Sequence, residues 1–528
     1  MLTELQAFRG KTTSSQFVRL VCTSLVSGLL FQSATADDAE RAQLTGEQIR
    51  ELTQSGVSNA IARFRDFLSL PNDANYPDDI QRLVEWLEPQ FRSLGFETER
   101  LPTAGNPVLF AERAVAGASR TVLVYLQADG QPVDASAWAQ DDPFGPVLKA
   151  EDDGDRWNII PWSSLENAID PNWRIFARSA SDSKGPMIQF MTAIGLLNRA
   201  NIATAFNLKV IIDTEEEMGS PHLAALVEAN RDLMSADMLL IFDGPPHASG
   251  QPTVSFGARG MTAVTLTSYG PKVPQHSGHY GNFVPNPAFH LARILSSMKS
   301  EDGKVLIDGF YDGVELDDDV LAILAAVPDD ERAILDSMGV ASADRVAPSL
   351  QQALQYPSLN IRGLASAWVG SETRTIIPAT ATAEIDIRLV KESDPAHLVT
   401  LLRLHIERMG YTVLDHDPTD DERLRHTRMV KMTSDTNYAA FRADFDSAAG
   451  QLARGGMLVL YGEEPILIRT MGGSIPISPF VEMLQLPAAI VPTVNIDNNQ
   501  HSPNENIRLG NFIEGISIIL AVLTQIPE

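Results

Sequence analysis

The sequence predicts an α/β fold, in which a mostly parallel sheet with helices on both faces is interrupted by a smaller α+β domain. Short apolar runs alternate with helical segments in the first half of the chain, which is typical of parallel sheets. Near residue 258 the pattern changes to longer alternating strands, and buried strands return late in the chain. The first domain is therefore expected to be discontinuous.

The first domain is predicted from its hydrophobic periodicity, taken in chain order. Apolar residues with helical spacing predict helices, and short apolar runs predict buried strands. A Gly-Pro pair opens the last of the helices. The predicted elements are helices at 46–67 and 79–94, a strand at 121–126, a helix at 184–200, and strands at 207–212 and 238–242.

The smaller domain follows from alternating strands and two helices after residue 258. An acidic stretch at 308–344 is expected to be an inserted helical segment, and strands at 465–469 and 488–494 return to the first domain. The division is a first domain at 46–257 and 421–528, with the inserted domain at 258–420. The inserted elements are strands at 261–268, 365–370 and 381–390, and helices at 286–298 and 396–409.

Composition and charge exclude several classes of protein. The 528 residues are enough for two or three domains, and 44% of them are hydrophobic, as in an ordinary globular protein. The formal net charge of −27 repels phosphates and anionic lipids. We therefore expect neither a nucleic-acid partner nor a membrane anchor.

The N-terminal segment has the features of a secretory signal peptide, which we assign to residues 1–36. Three basic residues lie before or at the start of an apolar stretch at 20–31, and Ala34-Thr35-Ala36 matches a cleavage pattern. Cys22, the only cysteine, lies inside this segment. A cleaved chain would have no thiol or disulfide, and we expect an exported protein, periplasmic or secreted.

Acidic residues follow the predicted strands, where parallel sheets bind ligands. Asp182 precedes a helix, Glu216 and Glu217 follow a strand, and Asp243 ends another strand. His501 lies in the late segment His501-Ser502-Pro503-Asn504-Glu505. Taken one at a time, each residue also has a structural explanation. Asp182 alone is more typical of a helix cap than of a ligand, and a single histidine such as His501 is more often structural. Glu216 and Glu217 fit a solvated acidic turn as well as a site.

Seven segments, taken together, resemble one family in their order and spacing. It is the co-catalytic zinc metallopeptidase family of carnosine dipeptidase, glutamate carboxypeptidase and succinyl-diaminopimelate desuccinylase. GFYDGV at 309–314 resembles the dipeptidase-like branch. The segments are LQADGQPVD at 126–134, ARSASDSKGPM at 177–187, EEMGS at 216–220, HSGHYGNFVPNP at 276–287, IDIRLV at 385–390, GGSIPI at 472–477 and HSPNE at 501–505.

The resemblance implies a function for each domain. Residues 46–257 and 421–528 would form a zinc-peptidase-like catalytic domain, and residues 258–420 a lid/dimerisation domain that makes a homodimer. One or two divalent metal ions are implied. Zinc is the expected metal, and manganese or cobalt are alternatives at the position that contains residue 127.

The resemblance also implies the metal ligands and the base. Asp182 would bridge two metals, and Glu217 and His501 would complete one metal position. Asp243 would hold the other metal together with the residue at position 127. Glu216 would be the general base that takes a proton from the attacking water.

Further roles are implied for residues around the metals. His276 would stabilise the oxyanion, often across a dimer interface in the resembled family. Arg388 would hold the substrate carboxylate, for which a guanidinium fork is well suited. Gly473 and Ser474 would line the substrate pocket. Asp129 would support the ligand at position 127.

Position 127 departs from the resembled family, which normally has histidine there. In a first reading, Gln127 is a weak ligand through its side-chain oxygen, and Asp129 accepts from its amide N–H. Together with Asp182 and Asp243, the oxygen of Gln127 would make an oxygen-only position that favours manganese or magnesium. His247 is a weaker candidate to replace the missing nitrogen ligand.

Two other readings of position 127 remain open at this point. In the second reading that metal is lost or loosely held, and one catalytic metal remains at Asp182, Glu217 and His501. In the third reading the protein is inactive and binds peptides. The match of the other site residues favours activity of some kind.

The expected function is an exported metal-dependent exopeptidase that hydrolyses dipeptides or small peptides with a free carboxylate. Glu216 would assist attack by a metal-bound water. One alternative is a metal-dependent N-acyl amino acid amidohydrolase, since the same chemistry cleaves either amide. A second alternative is a catalytically impaired peptide-binding protein.

Overall fold

The computed structural model describes residues 43–152, 156–473 and 475–527. The predicted signal peptide at 1–36 and the predicted pocket residue Ser474 lie outside the described residues. Within the described part of the chain, no helix is long and apolar enough to cross a membrane.

The described residues form helices and strands that we number in chain order. Helices α1 to α16 are Gly46–Gln54, Val57–Leu68, Pro77–Ser93, Lys184–Ala200, Leu223–Ala229, Arg231–Met234, Ser277–Tyr280, Pro287–Met298, Asp318–Ala326, Glu331–Met338, Leu350–Ala353, Pro395–Arg408, Asp420–Arg425, Ala448–Tyr461, Ser478–Met483 and Leu509–Leu523. Strands β1 to β21 are Glu97–Leu101, Val108–Arg113, Thr121–Gln127, Val147–Glu151, Trp157–Ile160, Arg174–Phe176, Asn207–Asp213, Met238–Phe242, Thr253–Ser255, Gly257–Ala258, Gly260–Tyr269, Gln275–His276, Ser358–Ala365, Ile376–Ile377, Thr380–Leu389, Thr412–Leu414, Met429–Tyr438, Phe441–Arg442, Ile466–Ile468, Ala488–Val491 and Asn506–Arg508.

The main sheet has eight strands in the order β1-β2-β7-β3-β8-β20-β9-β19. Its four central strands, β7, β3, β8 and β20, run parallel to one another. At one side of them, β2 pairs antiparallel with β7, and β1 pairs antiparallel with β2. The carboxyl ends of the central strands therefore meet at one edge of the sheet. The predicted α/β fold is confirmed, with antiparallel pairing toward the edges.

Helices cover both faces of this sheet because the side chains of each strand alternate between the faces. In β3, Val122, Val124 and Leu126 pack into one apolar core with residues of α2, α4 and α16. Leu123 and Tyr125 pack into a second core with residues of α5 and α15. Because both faces of the sheet are apolar, polar side chains of this domain's strands are found at the strand ends.

A second sheet has five strands in the order β13-β15-β11-β17-β16, and residues of α8 and α12 share its apolar core. It extends past residue 420, where we placed the end of the lid, because β17 pairs antiparallel with β11. The strand predicted at 365–370 is wrong. The strand there is β13, which ends at Ala365 and pairs with β15, and Trp368 and Val369 are exposed beyond it.

The acidic insertion at 308–344 contains α9 and α10, as its composition predicts. Its Asp329 connects it to the main domain, since Oδ1 of Asp329 lies 2.9 Å from Nε2 of His247. The other ring nitrogen of His247, Nδ1, accepts from the backbone N–H of Ser249 at 3.1 Å. Both ring nitrogens of His247 are thus occupied away from the strand ends. The suggestion that His247 replaces a metal ligand is wrong.

Candidate metal centre

Three side chains from distant segments meet beyond the carboxyl ends of the central strands. Nε2 of His501 lies 3.0 Å from Oδ2 of Asp182 and 3.3 Å from Oε2 of Glu217. One ligand atom from each of the three residues lies within 4.8 Å of the others. Two carboxylates and an imidazole at this spacing form a donor set suited to a divalent cation.

Glu217 reaches this cluster from a tight turn after β7. Asp213, the last residue of β7, accepts hydrogen bonds from the backbone N–H of Glu215 at 3.0 Å and from the hydroxyl of Tyr125 at 2.8 Å. Gly219 has φ of +79°, a left-handed conformation that glycine adopts without strain. The sequence EEMGS is therefore a turn that directs carboxylates back over the sheet.

Asp129 holds the same turn from the neighbouring strand. Its Oδ1 accepts from the backbone N–H of Glu216 at 3.1 Å, and its Oδ2 accepts from the backbone N–H of Glu217 at 3.0 Å. We expected Asp129 to accept from the amide of Gln127. That detail is wrong, because the amide of Gln127 donates to Asp243 instead.

Asp182 is positioned by Glu505, a residue whose role sequence reasoning missed. Oε1 of Glu505 accepts from the backbone N–H groups of Ser181 at 3.0 Å and Asp182 at 2.9 Å. Its Oε2 accepts from the guanidinium of Arg178 at 2.8 Å. Arg178 and Glu505 both belong to segments that carry the family resemblance, and their opposite charges were the available signal.

Gln127 and Asp243 lie beside the cluster, at the ends of β3 and β8. Nε2 of Gln127 donates to Oδ2 of Asp243 at 3.2 Å. The hydroxyl of Ser183 lies 2.8 Å from Oδ1 of Asp243 and 3.0 Å from Oδ1 of Asp182. Gln127 is 3% exposed, and its Oε1 is buried without a hydrogen-bond partner.

The site concentrates negative charge in a buried place. Burial and the charge of Asp182 raise the pKa of Glu217 to about 8 and that of Asp243 to about 7. The same two causes raise the pKa of Glu216 well above its ordinary value. A hydrogen bond to Asp182 raises the pKa of His501 to about 9. Buried carboxylates that repel one another in this way are stabilised by cations.

The remaining predicted site residues have other neighbours in the structure. His276 is exposed, and its Nδ1 accepts from the backbone N–H of Gly278 at 3.0 Å. Arg388 is on β15, and its Nε lies 3.6 Å from Oδ2 of Asp386. Gly473 is exposed. Among the described residues, the three-residue cluster able to hold a metal does not include His276.

Residues 147–525 match the peptidase family M20/M25/M40. The chain belongs to this family. The match covers more than half of the chain, and it confirms the predicted membership. As a member of this family, the chain is a metallopeptidase that uses divalent metals. Among the described residues, Asp182, Glu217 and His501 form a candidate site for one.

Two curated relatives in the family extend over nearly the whole chain. The Cys-Gly metallodipeptidase dug1 of Schizosaccharomyces pombe is 24% identical over 501 residues, which are 91% of this chain and 98% of the relative. The Beta-Ala-His dipeptidase of Homo sapiens is 26% identical over 461 residues, which are 85% of this chain and 83% of the relative.

Solved structures of family members share the fold. The M20 family metallo-carboxypeptidase Sso-CP2 from Sulfolobus solfataricus has a TM-score of 0.73 and 26% identity, covering 89% of this chain and 99% of its own. The dipeptidase Dug1p from Saccharomyces cerevisiae has a TM-score of 0.70 and 21% identity, covering 92% of this chain and 98% of its own.

Proposed function

We propose that this protein is an exported metallodipeptidase that hydrolyses dipeptides or small peptides with a free C-terminal carboxylate. The observation that carries the proposal is the half-buried Glu216 beside the cluster of Asp182, Glu217 and His501. The curated relatives, a Cys-Gly metallodipeptidase and a Beta-Ala-His dipeptidase, support the substrate class.

Asp182, Glu217 and His501 would hold the catalytic cation. When bound, a divalent cation lowers the pKa of water and polarises the scissile carbonyl. Zinc is the metal we propose at this position, because an imidazole nitrogen together with carboxylate oxygens is a typical zinc donor set. Gln131 orients Glu217, since its Nε2 donates to Oε2 of Glu217 at 2.8 Å.

Glu216 would act as the general base. Its backbone N–H donates to Asp129 at 3.1 Å, and its carboxylate is close enough to Asp182 and Glu217 to feel their charges. Without a cation, burial and these charges raise its pKa. A divalent cation at the neighbouring carboxylates would offset this effect, so that the carboxylate of Glu216 is ionised and able to accept a proton. Glu216 would take the proton from the attacking water and return it to the leaving amine.

Two lid residues would complete the site. Arg388 would bind the substrate carboxylate through its guanidinium group. His276 is exposed on the lid, and we propose that it acts on the oxyanion in a homodimer, where a partner subunit would supply this side chain. Tyr438, at the end of β17, lies near the turn that carries Glu217, because a Cβ built on Gly219 would lie 3.9 Å from its Cε1.

Export is proposed from the N-terminal sequence. Its basic start, apolar stretch and Ala-Thr-Ala pattern form a signal peptide at residues 1–36. N-terminal sequencing of the protein from fractionated cells tests this. An N-terminus close to residue 37 in the periplasm or medium is expected, and an intact N-terminus in the cytoplasm would contradict it.

The relatives are named as dipeptidases, and they do not favour the two alternatives, an N-acyl amino acid amidohydrolase and a catalytically impaired peptide-binding protein. One experiment distinguishes the dipeptidase from these two alternatives. The purified protein is analysed for bound metal, then incubated with zinc, manganese or cobalt and a panel of unblocked dipeptides and N-acyl amino acids. Bound divalent metal and hydrolysis of the dipeptides are expected. Hydrolysis of N-acyl amino acids alone would indicate an amidohydrolase, and peptide binding without turnover would indicate the binding protein.

A further inference from the structure

We propose that a cleft on the outer face of a small antiparallel sheet binds a small organic carboxylate with an apolar body. The sheet has four strands in the order β21-β6-β4-β5. Lys149 would bind the carboxylate group, and Trp157 and Phe176 would contact the apolar body. The cleft has a volume of about 540 Å³, which is within the usual range of small-molecule sites.

The inner face of this sheet determines what its outer face carries. Leu148, Ile175 and Ile507 lie opposite one another on β4, β6 and β21, and all three pack into the main apolar core. Side chains alternate between the two faces of a strand. The neighbouring residues Lys149 and Arg174 therefore belong to the outer face, and both line the cleft.

One row of the outer face carries three cations in register. Lys149 on β4 lies opposite Arg174 on β6, and Arg174 lies opposite Arg508 on β21. Like charges directly opposite each other on neighbouring strands destabilise a sheet. Oδ2 of Asp497 pairs with Arg174 at 2.5 Å and with Arg508 at 3.0 Å, so one carboxylate serves two of the three cations. An anionic ligand beside Lys149 would balance the third.

The ammonium group of Lys149 lies at the wall of the cleft. Its Nζ donates to the backbone carbonyl of Ala139 at 3.2 Å and lies 4.3 Å from the centroid of the Phe176 ring, and Ala139 and Phe176 both line the cleft.

Lys149 is an unusual cation because it is only 2% exposed and forms no ion pair with a carboxylate among the described residues. An ammonium group carries three N–H donors, and the carbonyl of Ala139 accepts from one of them. Burial lowers the pKa of Lys149, the direction expected for a cation that no carboxylate stabilises. The remaining donors suit the oxygens of a bound carboxylate.

The other walls of the cleft indicate the rest of the ligand. The ring centroids of Trp157 and Phe176 lie 5.3 Å apart, and together they form an aromatic wall that suits an apolar body. Lys149 supplies one positive charge, whereas Arg174 is already paired with Asp497. A single charge of this kind matches a monocarboxylate better than a phosphate dianion, which needs more donors.

The cleft is distinct from the candidate metal centre. Asn499 and Asn504 line it, and they belong to the loop that carries His501. Asp182, Glu217 and His501 are not among the described residues that line it. The proposed site is therefore an additional one, and it does not depend on the proposed peptidase activity.

Binding of benzoate to the full-length protein, as purified with its metal, tests the proposal. Benzoate carries a carboxylate on a flat apolar ring, and benzamide has the same shape without the charge. Calorimetry should show benzoate binding about tenfold or more tightly than benzamide or inorganic phosphate, because only benzoate combines one charge with an apolar body. This comparison needs no variant.

Two variants locate the site. Lys149→Met should bind benzoate about tenfold or more weakly, since the charged hydrogen bond is lost, while its metal content and melting temperature stay at or above those of the wild type. Benzoate should change the tryptophan fluorescence of the wild type, and this change should be absent in Trp157→Phe, which keeps an aromatic wall and still binds benzoate by calorimetry.

Lys272→Met is the matched control, because Lys272 is an exposed lid lysine paired with Asp420, and it should bind benzoate as the wild type does. Absence of benzoate binding to the wild type would overturn the proposal. Equal benzoate binding by Lys149→Met and the wild type would overturn it as well. Benzamide or phosphate that binds as tightly as benzoate would refute the assignment to organic carboxylates.

Discussion

Arg178 and Glu505 form an ion pair of 2.8 Å in the interior, with side chains only 3% and 1% exposed. Arg178 lies in the loop that carries Asp182, and Glu505 follows His501 by four residues. The pair therefore joins the two loops that bring a carboxylate and an imidazole to the same site.

Glu505→Ala should destabilise the protein strongly. It leaves the buried Arg178 without its counter-charge and removes the acceptor for three backbone N–H groups, which costs about 3–5 kcal/mol in comparable buried pairs. Chemical denaturation of the metal-free protein measures this. Asp308→Ala is the control, because it breaks an exposed pair with Arg408 and should cost less than about 1 kcal/mol. Equal effects of the two substitutions would contradict the prediction.

Glu216→Gln should abolish most turnover while the protein keeps its metal. The amide cannot take the proton from water, and loss of a general base typically lowers kcat about 10²- to 10⁴-fold. Metal content and kcat on a dipeptide are measured on the same sample. Glu228→Gln, on α5, should behave as the wild type. Near-normal turnover by Glu216→Gln would refute the role of Glu216.

Asp129→Asn should weaken metal binding. One oxygen of the carboxylate becomes an NH₂ group, which cannot accept from the backbone N–H of Glu216 or Glu217. The turn that carries Glu217 is then less well held, and metal affinity should fall about 10- to 100-fold. Calorimetric zinc titration measures the change, with Asp66→Asn on an exposed position of α2 as the control. Unchanged zinc affinity would show that the turn does not depend on Asp129.

Arg388→Met should impair binding of the free carboxylate. Losing charged hydrogen bonds to a substrate lowers kcat/KM by about 10- to 100-fold. The effect should appear mainly in KM for a dipeptide and should be small for the same dipeptide with an amidated C-terminus. Arg362→Met, on the edge strand of the same sheet, is the matched control. An equal loss on both substrates would place Arg388 outside carboxylate recognition.

The stability that Asp497 contributes should disappear in acid. Burial raises the pKa of Asp497, but hydrogen bonds from Asn495 and Arg174 outweigh burial and lower it to about 2. Its folded pKa is thus below the unfolded value of about 3.9, so the contribution is present above pH 4 and lost as pH falls toward 2. The difference in unfolding free energy between wild type and Asp497→Asn should become smaller as the pH is lowered from 4 toward 2.

A second variant checks the cause of this pH dependence. Arg508 also pairs with Asp497, at 3.0 Å. In an Arg508→Gln background, the difference between Asp and Asn at position 497 should become smaller above pH 4. A difference that is independent of pH would contradict the prediction.

Much of the fold could be predicted from local patterns. The predicted helix at 184–200 and strand at 238–242 coincide with α4 and β8, because their apolar runs and the opening Gly-Pro pair are local signals. The strand predicted at 365–370 failed since its true position depends on pairing with β15, which no local pattern records.

The candidate site was only partly predictable for the same reason. Asp182, Glu217 and His501 could be named from their motifs, and the structure brings them together. The backbone donors to Asp129 and the role of Glu505 could not be predicted. These hydrogen bonds join segments that are 87 residues apart in the first case and 327 in the second. Which residues become partners depends on how the loops pack against each other. The sequence pattern does not distinguish these partners from other polar residues in the same segments.

By itself the sequence determined the alternation of strands and helices, the family and the types of side chain available at the strand ends. Tertiary structure alone decided how Gln127 is used. Its amide turns its N–H toward Asp243 and leaves Oε1 buried without a partner. The physical reason is that an amide offers both a donor and an acceptor, and only the charge of its neighbours selects between them.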